Sequence, residues 1–357
     1  MRVWIDILTP KQTLFFSRIA EKLHKKGVEI LITIRDFRET VQLAEKHLKK
    51  FSPLVVGSYG GGLLINKLIK SLERGLSLVK PISNFNPDLT LSFCSPEAAR
   101  VSFGLGIKHY SVSDIPQAEA VSKLTLPLSD RLYTPWIIPK RAWVKFGISY
   151  DKIYQYRGLD PLTWLLDYKF DRDVLKQLDI LGDEYIVIRT VESYASYQLP
   201  VLRRSKIVDM KKLVLELVRE FPEHKIIIIE RYSERISMIR ELFIDNDNVI
   251  VPFKAVDGPS LLKFASGFIG YGGTMTMEAA LLGIPAISLR PGKLPYYLRF
   301  LIKKGLVKHV NSEKKAVRTL KNLINRREEI KRRARMEIDK MENPADYISK
   351  SILGLEG

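Results

Sequence analysis

Residues 270–290 read GYGGTMTMEAALLGIPAISLR. A short apolar run (GFIGY, 267–271) leads into a glycine turn, the turn into a small-residue helical stretch, and that into a second apolar run, PAISL (285–289). Strand, turn, helix and strand in so short a space is the repeating unit of a parallel sheet. Gly272 and Gly273 let the backbone approach a ligand closely, and the free N–H groups and dipole of the helix that follows favour an anion such as phosphate. The helix carries one charge, Glu278. Helical side chains tilt toward the N-terminus, so Glu278 lies over Thr274, one turn from the phosphate end. A carboxylate there repels phosphate but can accept hydrogen bonds from a diol one sugar away, the ribose of a nucleotide. Spacing alone equally allows an ordinary exposed glutamate, with Met275 and Met277 as core.

The same grammar extends in both directions. Upstream in this half lie YIVIR (185–189), HKIIIIE (224–230) and NVIVP (248–252). The first half carries VWIDI (3–7), EILIT (29–33), PLVVG (53–57), DLTLSF (88–93), HYSV (109–112) and RLYT (131–134). Helical patterns separate several of these, such as TLFFSRIAEKLHKKG, which closes on Gly27 as a C-terminal cap should. Near-continuous apolar strands alternating with helices predict parallel sheets covered on both faces. Two blocks, parted near 158–182, predict two Rossmann-like α/β domains, 1–168 and 169–340. A long helical tail (about 312–354) closes the chain, its last part (341–357) packing back on the first domain. Twin domains of this kind are expected to face a central cleft with their strand C-termini.

The chain has 357 residues, 46% hydrophobic and 27% charged, the composition of a protein with a substantial core. Four-residue runs such as IIII (226–229) are buried-strand length, far short of the roughly 20 apolar residues of a membrane span. No ordered secretory signal opens the sequence, so a cytoplasmic location is expected. A single cysteine, Cys94, excludes an intramolecular disulfide. The five histidines show no metal-ligand spacing. The net charge of +18 suits nucleic acid, an anionic membrane surface or phosphorylated substrates. It also suits a thermophile-style Lys/Arg surface. NRREEIKRRAR (325–335), where much of the excess lies, reads as a solvated mixed-sign helix face.

GGTMTMEAALLGIP resembles the nucleotide-sugar signature of GT-B-fold glycosyltransferases, most closely that of the enzyme adding N-acetylglucosamine to a lipid-linked muramyl peptide. UDP-N-acetylglucosamine 2-epimerase has a related motif. The resemblance implies that Glu278 binds the ribose hydroxyls and that Gly272, Gly273, Thr274, Met275 and Thr276 lie at the diphosphate. Gly283-Ile284-Pro285 matches the Gly-x-Pro that follows in those enzymes. The whole chain is similar to a largely archaeal prokaryotic family of unknown function. Its landmarks here are WIDILTPKQTLFF (4–16), SFCSPEAARVSFGLGI (92–107), DIPQA (114–118), LTLPLSDRLYTP (124–135), YIVIRTVESYASY (185–197), VDGPSLL (256–262) and PGK (291–293).

Departures from the relatives narrow the chemistry. Ser95 and Ser111 stand where the epimerases carry catalytic acids, and serine cannot deprotonate a sugar carbon unaided. Gly270 stands where retaining transferases of this fold place a second glutamate, eight positions before the ribose one, which favours inversion. An inverting enzyme needs a general base. The first strand-to-helix loop of the related proteins offers a histidine where this chain has Gln12, which cannot take a proton. Asp6, Glu97 and Asp114 remain as bases. Asp114 could equally cap a helix starting near Pro116, and Glu97 could complement its own helix dipole.

In the second domain Arg189 and Thr190 end the first strand, Arg231 follows the second, Phe253 the third and Lys293 the fifth. All are expected at the C-terminal edge of one sheet, with Phe253 near the uracil. The SYGGGLL turn (58–64) reads as a plain loop.

These features predict an inverting, metal-independent glycosyltransferase with a UDP-sugar donor, no cofactor and a lipid- or glycan-linked acceptor. A nucleotide-sugar epimerase or hydrolase comes second. A nucleic-acid-binding protein is disfavoured because no motif with interleaved aromatics appears. Two stretches could dock on an anionic membrane: GGLLINKLIKSLERGLSLVK (61–80) and PYYLRFLIKKGLVKH (295–309). Alternatively, both pack on their own sheets. Nothing in the sequence sets an oligomeric state.

Overall fold

The computed structural model describes residues 1–191 and 207–355. The chain divides into two compact units, residues 1–166 with 342–357, and residues 167–341. Each is built on a wholly parallel sheet.

The first sheet comprises β1 (Arg2–Ile7), β2 (Glu29–Asp36), β3 (Leu54–Ser58), β4 (Leu89–Ser92), β5 (Lys108–Val112), β6 (Arg131–Pro135) and β7 (Ile153–Tyr156). Its spatial order is β3-β2-β1-β4-β5-β6-β7. The chain moves outward from β1 in one direction, then returns to start again at β4, so the strand order reverses between β1 and β4. Parallel strands buried on both faces must be apolar throughout, and Val3, Trp4, Ile5 and Ile7 of β1 are all fully buried. Trp4 packs with Leu78, Ile82, Ala98 and Val101 from two helices on one face. The helix Pro344–Ile352 returns to this unit and packs on the helix Pro10–His24. Lys22 pairs with Asp346 at 2.6 Å, and Ser351 Oγ accepts from Arg131 Nη1 at 2.9 Å.

The second sheet comprises β8 (Glu184–Arg189), β9 (His224–Ile229), β10 (Val249–Ile250), β11 (Gly267–Gly270), β12 (Ala286–Ser288) and β13 (Lys308–His309), in the order β10-β9-β8-β11-β12-β13. Here the reversal falls between β8 and β11. Ile186, Ile188, Ile226, Ile228, Ile269 and Ile287 form the spine of its core, each such side chain contributing about 1.5–3 kcal/mol on burial.

Two strands carry no clear sequence signal. β7 is an edge strand of the first sheet whose central Tyr154 and Gln155 are only half-buried, and β13, an edge strand of the second sheet, is two exposed residues. The tail is three helices, Glu313–Ile324, Arg327–Ile338 and Pro344–Ile352, the last starting at a proline capped by Asn343. Within the middle one, Glu329 takes Arg326 and Arg333 at 2.8 and 2.7 Å, as expected of a solvated mixed-sign face. Among the described residues no helix is long and apolar enough to cross a membrane.

Candidate functional site

In open parallel sheets, ligands bind at the strand C-termini where the order reverses. In the second unit that point is held by the residues quoted first. Gly270, the last residue of β11, is flanked by Arg189 of β8 and Ser288 of β12. A Cβ built on Gly270 would lie 2.6 Å from the Phe268 ring and 3.3 Å from Thr276 Oγ1, so the position has no room for a carboxylate. Gly272 and Gly273 take φ of +91° and +89°, the left-handed half of backbone space that glycine enters without strain. The helix Thr274–Leu281 follows, with no side-chain cap among the described residues and no acidic residue in its first turn. Its leading N–H groups have no partner within the helix. Glu278 is only 2% exposed. The exposed-glutamate alternative is therefore wrong: Glu278 is buried, as are Thr276, Met277, Ala279 and Ala280 of the same helix. Met277 is core as expected; Met275 is half-buried beside Gly258.

Two residues at this turn carry no sequence signal of their role. Arg290, just past β12, is 7% exposed, yet its Nε finds no hydrogen-bond partner among the described residues. Its Cδ lies 3.2 Å from where a Gly272 Cβ would stand. Tyr297 Oη accepts the Gly273 N–H at 2.8 Å and so fixes the turn. The buried Thr276 Oγ1 likewise has no partner among the described residues. A buried polar group without a partner costs free energy, and a ligand oxygen would supply it.

The other expected positions stand along the same edge. Arg189 donates from Nη1 to the Ile229 carbonyl at 2.9 Å. Thr190 Oγ1 donates to Glu230 at 2.8 Å. Glu230, buried, also accepts the Arg231 and Tyr232 amides at 2.7 and 3.2 Å and pairs with Arg235 at 2.9 Å. Arg231 thus sits one strand from β8. Phe253 lies past β10, a strand further, half-exposed beneath Arg240 at 4.4 Å. Lys293 is exposed on the turn after β12. The structure therefore groups Arg189, Thr190, the glycine turn and Glu278 around the reversal and leaves Phe253 and Lys293 on its flanks.

The first unit's reversal is packed with ion pairs. Asp6 is fully buried and bound through both oxygens by Arg74, at 2.5 and 3.1 Å, with Thr33 Oγ1 donating at 2.5 Å. Burial pushes its pKa up, but the Arg74 charge and hydrogen bonds outweigh that and hold the carboxyl below its ordinary range. Asp6 is thus a structural anion, and its expected role as a base is corrected. Gln12, buried, accepts the Leu8 N–H at 2.6 Å, closing its loop from the third helical position. Glu97 accepts from Ser95 Oγ at 3.2 Å, while the same oxygen caps the helix by accepting the Ala98 N–H. Ser111 Oγ hydrogen-bonds Ser129 Oγ at 2.9 Å. Asp114 caps no helix, since the next one runs over Glu119–Thr125. It pairs instead with Lys11 at 2.7 Å, and Lys11 reaches Asp160 at 2.6 Å. Burial first, and the Asp114 charge second, push the Asp160 pKa up to about 6 against the pull of Lys11. Lys11, raised by its two carboxylates despite burial, stays charged. Between β4 and the next helix Cys94 adopts φ +49°, a strained conformation for a non-glycine residue.

A model of the family described as a protein of unknown function (DUF354) matches residues 1–354. The chain belongs to this family. An uncharacterized protein of Methanocaldococcus jannaschii is 29% identical to this DUF354 protein over 354 residues, 98% of this chain and 97% of that one. Among solved structures, the UDP-GlcNAc 2-epimerase of Neisseria meningitidis, bound to UDP-GlcNAc, superposes with a TM-score of 0.67 at 17% identity, over 99% of this chain and 100% of that one. The M. jannaschii UDP-GlcNAc 2-epimerase, in complex with UDP-GlcNAc and UDP, gives 0.70 at 18% over 91% and 93%. Anabaena HepE, in complex with UDP and glucose, gives 0.67 at 14% over 99% and 100%. Identities this low establish the fold: two Rossmann-like parallel-sheet units of the GT-B type. Of the DUF354 protein's sequence landmarks, residues 192–197 of the YIVIRTVESYASY stretch lie outside the described residues.

The docking expectation for 295–309 is corrected. Tyr297, Leu298 and Leu301 are buried, so the helix Tyr296–Lys303 turns its apolar side inward and its tyrosine to the glycine turn. In 61–80 the opposite holds, and the apolar side faces outward.

Proposed function

We propose that this DUF354 protein is an inverting, metal-independent glycosyltransferase with a UDP-sugar donor and a lipid- or glycan-linked acceptor. One observation carries the reading: a buried carboxylate, Glu278, one turn behind a glycine turn that, among the described residues, has no side-chain cap and has beside it a buried Arg290 whose Nε finds no partner. The amides of Thr274, Met275 and Thr276 and the Arg290 guanidinium suit a diphosphate. Glu278 suits the ribose diol. The relatives of known structure that hold UDP or UDP-GlcNAc support the same ligand class. In the reaction, a carboxylate takes the acceptor hydroxyl proton, the oxygen attacks the anomeric carbon, and the nucleoside diphosphate leaves with the bonding electrons. Helix amides and Arg290 accept the charge that develops. Of the carboxylates expected as bases, Asp6 is locked to Arg74, Asp114 is paired with Lys11 and Glu97 accepts from Ser95.

Calorimetric titration with UDP-, GDP-, dTDP- and CMP-sugars tests the donor. Glu278→Gln is expected to weaken binding of the preferred one by about 1–3 kcal/mol while the melting temperature holds. Unchanged affinity would remove the ribose assignment, and a large drop in melting temperature would make Glu278 structural. Epimerisation is the second reading, since epimerases share the fold. The hydroxyls of Ser95 and Ser111, at the acid positions, are committed to a helix cap and to Ser129. Incubation with the UDP-sugar in heavy water should leave its C2 proton unexchanged, and deuterium at C2 would establish the epimerase reading instead.

A further inference from the structure

The helix Leu64–Phe85 buries only Arg74, Leu78 and Ile82 along one side. A second side presents Leu64, Ile65, Leu68, Ile69, Leu72, Leu76 and Val79 to solvent, with Leu63 just before it; Leu72 is 66% and Leu76 78% exposed. The adjoining β3 is the edge strand of its sheet, and its Leu54 and Val55 are exposed as well. The largest apolar patch on an ordinary monomer is roughly 300–600 Å². Eight aliphatic side chains, most of them more than half exposed, reach or pass the top of that range, on the order of 600 Å². With the β3 residues added, the patch approaches the ~800 Å² per partner of a stable interface.

We propose that this stripe is the interface of a homodimer, in which the helix packs antiparallel against the same helix of a second copy about a two-fold axis at Leu72. The order of residues is what points to a second copy. Counted outward from Leu72, Ile65 and Val79 are equidistant, and so are Leu68 and Leu76. Ile69 and Gly75 form the third pair, a bulky residue opposite a gap. A Cβ built on Gly75 meets nothing within 4 Å, so the space for an isoleucine from outside is present. A two-fold interface requires this self-complementarity, in which each residue meets its mirror position on the partner. The rim argues the same way. An interfacial membrane helix flanks its apolar face with Lys and Arg. Here the solvent border of the stripe is Asn66, Glu73, Ser77, Lys80 and Asn84, and Lys70 is neutralised by Glu73 at 2.8 Å.

Sedimentation velocity of the full chain at micromolar concentration should give twice the mass of the chain. Leu72→Asp and Leu76→Asp should each convert it to a monomer that still melts cooperatively, at a temperature lowered only by the loss of association, because both side chains are exposed in the fold. Leu72→Cys should form a disulfide-linked dimer under mild oxidation, since that residue meets its own copy, whereas Ser77→Cys should not. Cys94 is buried and gives no background. A monomeric wild type, or a dimer that survives Leu72→Asp, overturns the proposal. So does pelleting with phosphatidylcholine/phosphatidylglycerol vesicles that Leu72→Asp abolishes, which would assign the stripe to a bilayer.

Discussion

The two sheet edges at which strand order reverses are alike in topology and opposite in chemistry. At β1 and β4 most buried polar groups are spent on one another: Asp6 on Arg74, Lys11 on Asp114 and Asp160, Gln12 on a backbone amide. At β8 and β11 groups are left open among the described residues: a helix with no side-chain cap, the Arg290 Nε and the Thr276 hydroxyl. A density of polar residues therefore does not distinguish a binding edge from a structural one. What distinguishes it is whether the hydrogen-bonding capacity has already been used.

The contrast can be broken experimentally. The largest effect is expected from Arg74→Met, which leaves Asp6 buried without its cation and should cost about 3–5 kcal/mol in denaturant unfolding. Nucleotide affinity of the folded protein should not change. A cost below 1 kcal/mol would mean the first edge is as loosely coupled as the second. Next comes pH. The raised Asp160 carboxyl keeps its proton longer in the folded state than in the unfolded one, from an ordinary 3.8 to about 6. Its contribution is therefore complete below pH 4 and lost as pH rises through 6, by at most about 3 kcal/mol. Asp160→Asn should flatten that stretch of the stability profile, and an unaltered slope would remove Asp160 as its source. Arg290→Met should weaken UDP binding about 10- to 100-fold, or about 1.5–3 kcal/mol, with stability held or raised. Lost stability with intact binding would move Arg290 to the structural side. The smallest effect is expected from Gln12→Leu, about 1 kcal/mol of stability for one hydrogen bond and nothing in ligand affinity.

The fold was legible because fully buried parallel strands must be apolar along their whole length. β1, β9 and β11 announce themselves, whereas β7 and β13, at the rims, need no such pattern. At the site, the glycine turn and Glu278 were legible because glycine geometry and helix spacing are local. Arg290 was not, since an arginine after a strand reads as surface and its burial depends on Gly272 folding over it. Tyr297 read as an interfacial aromatic for the same reason: amphipathicity tells that one side is apolar, not what that side meets. Lys11, Asp114 and Asp160 escaped as a group because their pairing joins the start of the helix Pro10–His24 to two turns far away in sequence.

The return of helix Pro344–Ile352 to the first unit also dictates a timetable. This helix lies on Pro10–His24, and its Ala345 and Ile348 are fully buried. A ribosome delivers it only after residues 167–341, the entire second unit, have been made. At about 5–20 residues per second, that is a delay on the order of 10–35 s. During that interval the β1–β7 sheet is present without its last covering helix, while the later half of the chain is synthesised without interruption. The usual order of birth is thus inverted: the domain begun first is finished last, and a chain halted before residue 342 leaves the ribosome with its second unit whole and its first still open.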